Sequence, residues 1–211
     1  MVPATRALLD ERARLAGVLI PEVLADRLTA YYALLMRWNR KINLTALQDS
    51  PEAVDRLLLE PVAAAPLLPS ASVLIDLGSG GGSPAIPLGL ALGVEHLVMV
   101  ESRSRKAVFL REAAREVGLR ATVEAVRFEV LADAGTHHGT GGIVSLRAVR
   151  PDAETLRLAW SLTKPDGVVA LFLSAQQDVQ LPSGTAGLAT PLIGDAVLHV
   201  SRRDVPRGTF G

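Results

Sequence analysis

Val73-Leu74-Ile75-Asp76-Leu77-Gly78-Ser79-Gly80-Gly81-Gly82-Ser83-Pro84 decides how the rest of the chain is read. A short apolar run carries one acid, four glycines fall within five residues, and Pro84 opens an alanine- and leucine-rich segment. The run predicts a buried strand, the glycines a tight loop, and the segment after Pro84 a helix. Glycine lets a backbone approach a ligand closely and adopt positive φ without strain. The helix start adds free N–H groups and the positive end of a dipole. A glycine-rich surface turn is the plain alternative, and the strand before and helix after speak against it.

The spacing within the loop separates two kinds of nucleoside cofactor. A G-x-G-x-x-G pattern beginning at Gly78 fails at its last position, which is Ser83. The pattern that fits is acid-x-G-x-G-x-G, at Asp76, Gly78, Gly80 and Gly82. It resembles motif I of the S-adenosylmethionine-dependent methyltransferases. A carboxylate beside the loop suits a cofactor with a cationic amino-acid end and a sulfonium, and suits a pyrophosphate poorly.

Upstream, residues from about Thr5 to Leu68 read as helices. Leu8, Leu9, Arg12 and Leu15 give one amphipathic stretch ending near Gly17, and Pro21 opens a second through Tyr31, Tyr32, Leu35 and Trp38. A third starts at Ser50, an N-cap before Pro51, and continues through Leu57 and Leu58 and across Pro61. Downstream, strand and helix alternate. Strands are expected at Val73 to Leu77, Leu97 to Val100, Thr122 to Val126, Ile143 to Leu146 and Val168 to Leu173, with a last one at Val197 to Ser201. The turn Pro165-Asp166-Gly167 introduces the fifth, and Pro206 to Gly211 is expected to fray. Such alternation argues for an α/β fold, a doubly wound and mostly parallel sheet covered by helices on both faces. Residues 1–70 form a helical cap and residues 71–211 the cofactor domain, packed as one unit.

Composition sets limits. The 211 residues suit one ordinary domain with a helical extension, and 49% are apolar. Twenty-two basic residues balance 22 acidic ones, which excludes an acidic disordered chain and a polybasic tail. Nineteen of the basic residues are arginine, but net charge alone implies no nucleic-acid partner. The absence of cysteine excludes disulfides, thiolate zinc sites and a cysteine nucleophile. Asp10 and Glu11 precede any long apolar run, and Pro66 and Pro69 interrupt the most apolar region. Neither a signal peptide nor a membrane span is expected, so a cytoplasmic protein is.

Further candidates stand at strand ends. Glu101 ends the second strand, 23 positions after Gly78, where an acid accepts both ribose hydroxyls of a nucleoside. Capping the following helix is its other possible role. Arg103, Arg105 and Lys106 begin that helix against the favourable dipole sense, so a phosphate contact and a solvated face both stand as readings. For Arg111 and Arg115, charge pairing along a solvated face is expected. Arg127, Phe128 and Glu129 follow the third strand, where side chains of this fold class flank the adenine. Arg147 follows the fourth, at the sheet's C-terminal edge, with a buried salt bridge as the alternative role. His137 and His138 lack a ligand cluster, and no metal is expected.

Taken together, the chain resembles the RsmG or GidB family, the 16S ribosomal RNA guanine-N7 methyltransferases. The segment Trp38-Asn39 with Ile42-Asn43-Leu44-Thr45 is similar to the family's W-N-x-x-x-N-L-T signature. Asp76 to Pro84 with Ile86-Pro87-Leu88, then Glu101, Arg105-Lys106, Phe109-Leu110, Arg127 with Glu129, and Arg147-Ala148 after Ser145 follow in the family's order. The resemblance covers roughly residues 20 to 173. It implies that Gly78 and Ser83 line the methionine part of S-adenosylmethionine, Glu101 the ribose, and Phe128 and Glu129 the adenine. It implies functional roles for Arg127 and Arg147, and as substrate one guanosine of small-subunit RNA in a ribosomal particle. A monomer is expected, although the sequence itself does not reveal the oligomeric state.

The chain differs from the family pattern at Leu57, at Glu60-Pro61, at Ser83-Pro84-Ala85 and at Ser174. These differences keep two alternatives open: a divergent methyltransferase with another RNA or small-molecule target, and a silent protein that binds cofactor and RNA. A nicotinamide dehydrogenase fits poorly, since about seventy residues precede the first strand and Asp76 stands where such folds keep an apolar residue.

Overall fold

The computed structural model describes residues 2–148, 151–175 and 185–203, so the expected fraying of Pro206 to Gly211 lies outside the described residues. Helices α1 (Val2–Ala16) and α2 (Glu22–Asn39) form an antiparallel pair joined at Gly17, which takes φ +67. They bury Leu9, Leu28, Tyr31, Tyr32 and Leu35. Leu15, expected on the apolar face, is exposed, as is Val23, and both flank the turn between the helices.

The third helical stretch begins as expected. Ser50 Oγ accepts from Ala53 N at 3.3 Å, and Pro51 occupies the first helical position. Helix α3 (Pro51–Val54) runs without a break through a π turn (Asp55–Leu59) into α4 (Glu60–Ala64). In a regular α-helix the ring of Pro61 would meet the carbonyl four residues earlier. The wider π turn ends at Leu59, two positions before that proline, and includes Leu57, whose carbonyl the ring would meet.

The sheet has the order β3-β2-β1-β4-β5-β7-β6. Strands β1 (Val73–Leu77), β2 (His96–Val100), β3 (Ala121–Glu124), β4 (Gly141–Arg147) and β5 (Thr163–Ser174) are parallel, and β6 (Thr185–Pro191) and β7 (Ala196–Arg203) return antiparallel. Between them run α5 (Ala85–Leu92), α6 (Ser104–Glu116), the short α7 (Phe128–Asp133) and α8 (Ala153–Leu162). Two elements were not expected: α7, and β6, whose Gly187 and Pro191 hide a strand at the sheet's rim. Instead of a turn ahead of β5, Gly141 pairs with Thr163 and Ile143 with Val168, so residues 164–167 bulge within the strand.

Period-2 alternation sorts the strands' side chains onto two faces. Leu74, Met99 and Ile143 join a core shared with α5, α6 and the N-terminal helices, through Leu28, Tyr31 and Leu58. Ile75, Leu77, Val98 and Val144 pack on the opposite side with Leu156 and Trp160 of α8. Asp76, Ser145 and Arg147 fall on the first face by the same alternation. That sends three polar groups toward the helical cap.

Candidate active site

The glycine loop departs from β1 in a conformation that side chains resist. Gly78, Gly80 and Gly82 have φ of +74, +52 and +87. Gly78 N and Ser79 N both donate to Val100 O, at 2.9 and 3.0 Å, fastening the loop to the end of β2. Glu101, next in the chain, accepts from Gly80 N at 2.9 Å with one oxygen and from Arg103 N at 2.8 Å with the other. It thus holds the loop tip and organises the approach to α6 while standing on the cavity wall.

The cap fills the underside of the loop. Tyr31 donates its hydroxyl to Gly81 O at 2.6 Å. A Cβ on Gly81 would sit 3.1 Å from Leu44 O, and one on Gly82 would sit 2.9 Å from Ile86. Two of the glycines therefore answer to close packing as much as to the ligand side.

Above the loop lies a cavity of about 1010 Å³. It brings together Gly78, Gly80, Ser83, Glu101, Arg127, Phe128 and Arg147 among the residues expected from sequence. Arg103 and Lys106 join them from the approach to α6 and from α6 itself, whereas Arg105 is exposed and off the wall. The side chain of Glu129 lies outside the described residues. The volume, the positive-φ cradle, the carboxylate and the half-buried Phe128 suit a nucleoside with a charged tail.

Asp76 is placed differently from a wall residue. It is buried in β1 opposite Ser145 of β4, whose hydroxyl donates to its carboxylate at 2.5 Å. Ser79 adds a hydroxyl bond to the Asp76 carbonyl at 3.1 Å. Burial pushes the Asp76 pKa up to about 6, with the Ser145 and Ser79 hydrogen bonds and Arg147 pulling the other way. The acid lies behind the loop, with β1 and β4 locked together through it.

Arg147, at the end of β4, donates to Glu60 at 2.7 Å, to Ser83 Oγ at 3.2 Å and to the Arg56 carbonyl at 2.5 Å. Its guanidinium stacks 4.7 Å from the centroid of Phe172, its partner in the β4–β5 register. Side-chain exposures of 11% and 8% make Arg147 and Glu60 a buried ion pair. Burial lowers the pKa of the arginine and raises that of the glutamate, and each partner opposes the shift in the other. The buried salt bridge read as the alternative role of Arg147 is present, and the same residue stands on the cavity wall. Glu60 and Ser83, two positions where the chain leaves the family pattern, both touch it.

Sequence reasoning left Asn39 without a role. Its Oδ1 accepts from Leu44 N and Thr45 N at 2.9 and 3.0 Å, bending the chain after α2 into a roof whose residues 44–47 line the cavity. Trp38 anchors the same segment edge-on to Phe109 at 5.8 Å. The signal was the Trp-Asn pair itself, read as a signature without its geometry. His137 is bonded to Glu124 at 3.0 Å rather than standing free in a loop. No group of three or more possible metal ligands occurs among the described residues, and no helix there is long and apolar enough to cross a membrane.

Residues 25–189 match the family model described as GidB, rRNA small subunit methyltransferase G. A protein named ribosomal RNA small subunit methyltransferase G from Ralstonia nicotianae is 36% identical over 194 residues, covering 86% of this chain and 85% of that protein. One of the same name from Stenotrophomonas maltophilia is 38% identical over 174 residues, covering 81% and 80%. Among solved structures, the O-methyltransferase from Bacillus cereus in complex with SAH has a TM-score of 0.62 at 16% identity, covering 96% of this chain and 100% of that one. At that identity the likeness speaks for the methyltransferase fold alone.

Proposed function

The chain belongs to the rRNA small subunit methyltransferase G family, and from that membership we propose that it methylates N7 of a guanosine in small-subunit ribosomal RNA. One observation carries the proposal to a site: a single cavity is bounded by the glycine loop, by Glu101 and by the Asn39-held roof. S-adenosylmethionine, when bound, supplies an electrophilic methyl on a sulfonium. Gly78 and Ser83 border its methionine end, Glu101 accepts the ribose hydroxyls with lone pairs left by its two backbone donors, and Phe128 packs on the adenine beside residue 129.

The remaining work is positioning and exclusion of water. Guanine N7 attacks with a lone pair and loses no proton, so no general base is required, and among the described residues no histidine lines the cavity. Arg147 is held rigidly on the wall beside Ser83 and orients the reacting groups. Arg127, exposed at the rim, is available to a phosphate of the target nucleotide. In this reading residues 1–70 form the cap over a cofactor domain of residues 71–211. The protein acts as a cytoplasmic monomer on a ribosomal particle and uses no metal.

The Glu60 and Ser83 contacts of Arg147 favour one second reading, a related methyltransferase with a shifted RNA target. Incubation with labelled S-adenosylmethionine and small ribosomal subunits lacking the modification tests both. Label on a single guanine N7 of the small-subunit RNA supports the proposal, and label at another position or atom supports the second reading. Binding of the cofactor without transfer overturns both.

A further inference from the structure

Helix α6 sorts its charges by sign. Glu112 and Glu116 lie four residues apart, and so do Arg111 and Arg115, although like charges at that spacing destabilise a helix. The salt-bridged solvated face expected for Arg111 and Arg115 does not form. Among the described residues, neither lies within ion-pair distance of a carboxylate, and neither do Arg105 or Arg120.

The acids are turned elsewhere. Glu112 meets Arg37 of α2 at 3.4 Å, Glu116 lines a hollow with Arg6 and Arg37, and Glu124 is occupied by His137. On the other side, Arg111, Arg115 and Arg120 line a separate concavity of about 390 Å³ along β3, the edge strand of the sheet. Arg111 gives one N–H to Val123 O at 2.9 Å and so covers part of that edge, with the rest of its fork unused by any described partner. Arg105, on the same helix, stands next to Lys106 at the cavity rim. Ten residues of helix between Arg105 and Arg115 span about 15 Å, a length that faces about four phosphates along one strand of a nucleic-acid duplex.

We propose that Arg105, Arg111, Arg115 and Arg120 form a track for the phosphodiester backbone of the RNA, leading from the cavity rim to the β3 edge. The proposal rests on the rRNA reading above and adds where the substrate lies outside the pocket. Arginine forks without acid partners grip phosphate oxygens and carry no base readout, so the track supplies affinity and orientation. The target atom is selected inside the cavity.

The test is the triple variant Arg111→Gln, Arg115→Gln, Arg120→Gln, compared with a control that removes three exposed arginines elsewhere, Arg14→Gln, Arg157→Gln, Arg202→Gln. Both are assayed with small ribosomal subunits lacking the modification and with their protein-free RNA, over a salt series, alongside cofactor titration and circular dichroism. The track requires a rise of about tenfold in KM for subunits at moderate salt, and a slope of log affinity against log salt shallower by about 2. It requires weaker binding to both RNA probes, unchanged kcat and cofactor affinity, and little effect of the control. Equal losses in triple variant and control would reduce the effect to net charge and overturn the track. A loss confined to subunits, with free RNA bound as by the wild type, would assign the strip to a ribosomal protein instead. An unchanged KM and salt slope would overturn it outright. Should the unaltered protein bind RNA with a slope the triple variant reduces, yet transfer no methyl group, the track stands and the catalytic reading falls. If the triple variant loses helicity, the pair Arg115→Gln, Arg120→Gln decides by the same readouts.

Discussion

Arg147 and Glu60 meet at 2.7 Å across the space between the end of β4 and α4, both almost fully buried. The pair joins the end of β4 to α4 beside the cavity, so changing it bears on stability as well as on the proposed site. Removing one partner of such a pair strands the other. Arg147→Ala should cost about 3 kcal/mol of stability, most of it from the unpaired Glu60. Glu60→Gln combined with Arg147→Ala should recover most of that loss in a denaturant titration, because no buried charge remains. Methyl transfer should stay depressed in the double variant. Recovery of transfer together with stability would reduce Arg147 to a structural residue.

Glu101 accepts one backbone N–H on each carboxylate oxygen. Glutamine would turn an NH₂ group toward one of those donors. Glu101→Gln should therefore weaken S-adenosylmethionine binding by about ten- to a hundredfold, the range expected of a hydrogen bond to a charged group. Isothermal titration gives the number, and unchanged affinity would remove Glu101 from the ribose site.

Gly78 adopts φ +74 on the cavity wall, where a side chain adds strain of about 1–2 kcal/mol and enters the ligand space. Gly78→Asp should abolish cofactor binding through steric and charge clash. The same titration detects it, and a wild-type affinity would sink the loop assignment.

Asp76 titrates near 6 in the fold against 3.8 for an exposed aspartate. Its folded pKa is the higher one, so protonation stabilises the native state. That contribution is complete below about pH 4 and is lost as pH rises through 6. The shift corresponds to a cost on the order of 3 kcal/mol for the ionised group at neutral pH. Asp76→Asn, which still accepts from Ser145, should gain stability over the wild type above pH 7, with the gain shrinking toward pH 4. Thermal melts of both proteins across that range check it, and a pH-independent difference would contradict the assignment.

Asn39 satisfies two backbone N–H groups of the roof with one oxygen. Asn39→Ala should lose about 1–3 kcal/mol and loosen residues 44–47, weakening cofactor binding. Asn39→Asp keeps the acceptor and should restore most of both. Failure of aspartate to rescue would show that the side-chain amide donors matter more than the oxygen.

The parallel sheet and the glycine loop that lines the cavity were legible because each rests on a local signal. Strand–helix alternation, positive-φ glycines and an acid at a strand end all fall within short windows. Contacts made between distant segments carried no such signal. Nothing local in Glu60 announces Arg147, 87 positions away. Asp76 reads as a loop-side acid until the register places it opposite Ser145. The strand β6 was missed because glycine and proline argue against a strand, a rule that relaxes at a sheet edge. Glutamates and arginines along α6 suggested pairing, since sequence gives their spacing but not the neighbours that draw the acids toward α2.

The most direct test is the chemical identity of the modified nucleoside. Small subunits lacking the modification are incubated with the protein and labelled S-adenosylmethionine, and their RNA is digested and resolved. The structure and family membership predict all label in 7-methylguanosine from a single position. Label in any other nucleoside, or no transfer by a protein that binds the cofactor, would contradict them.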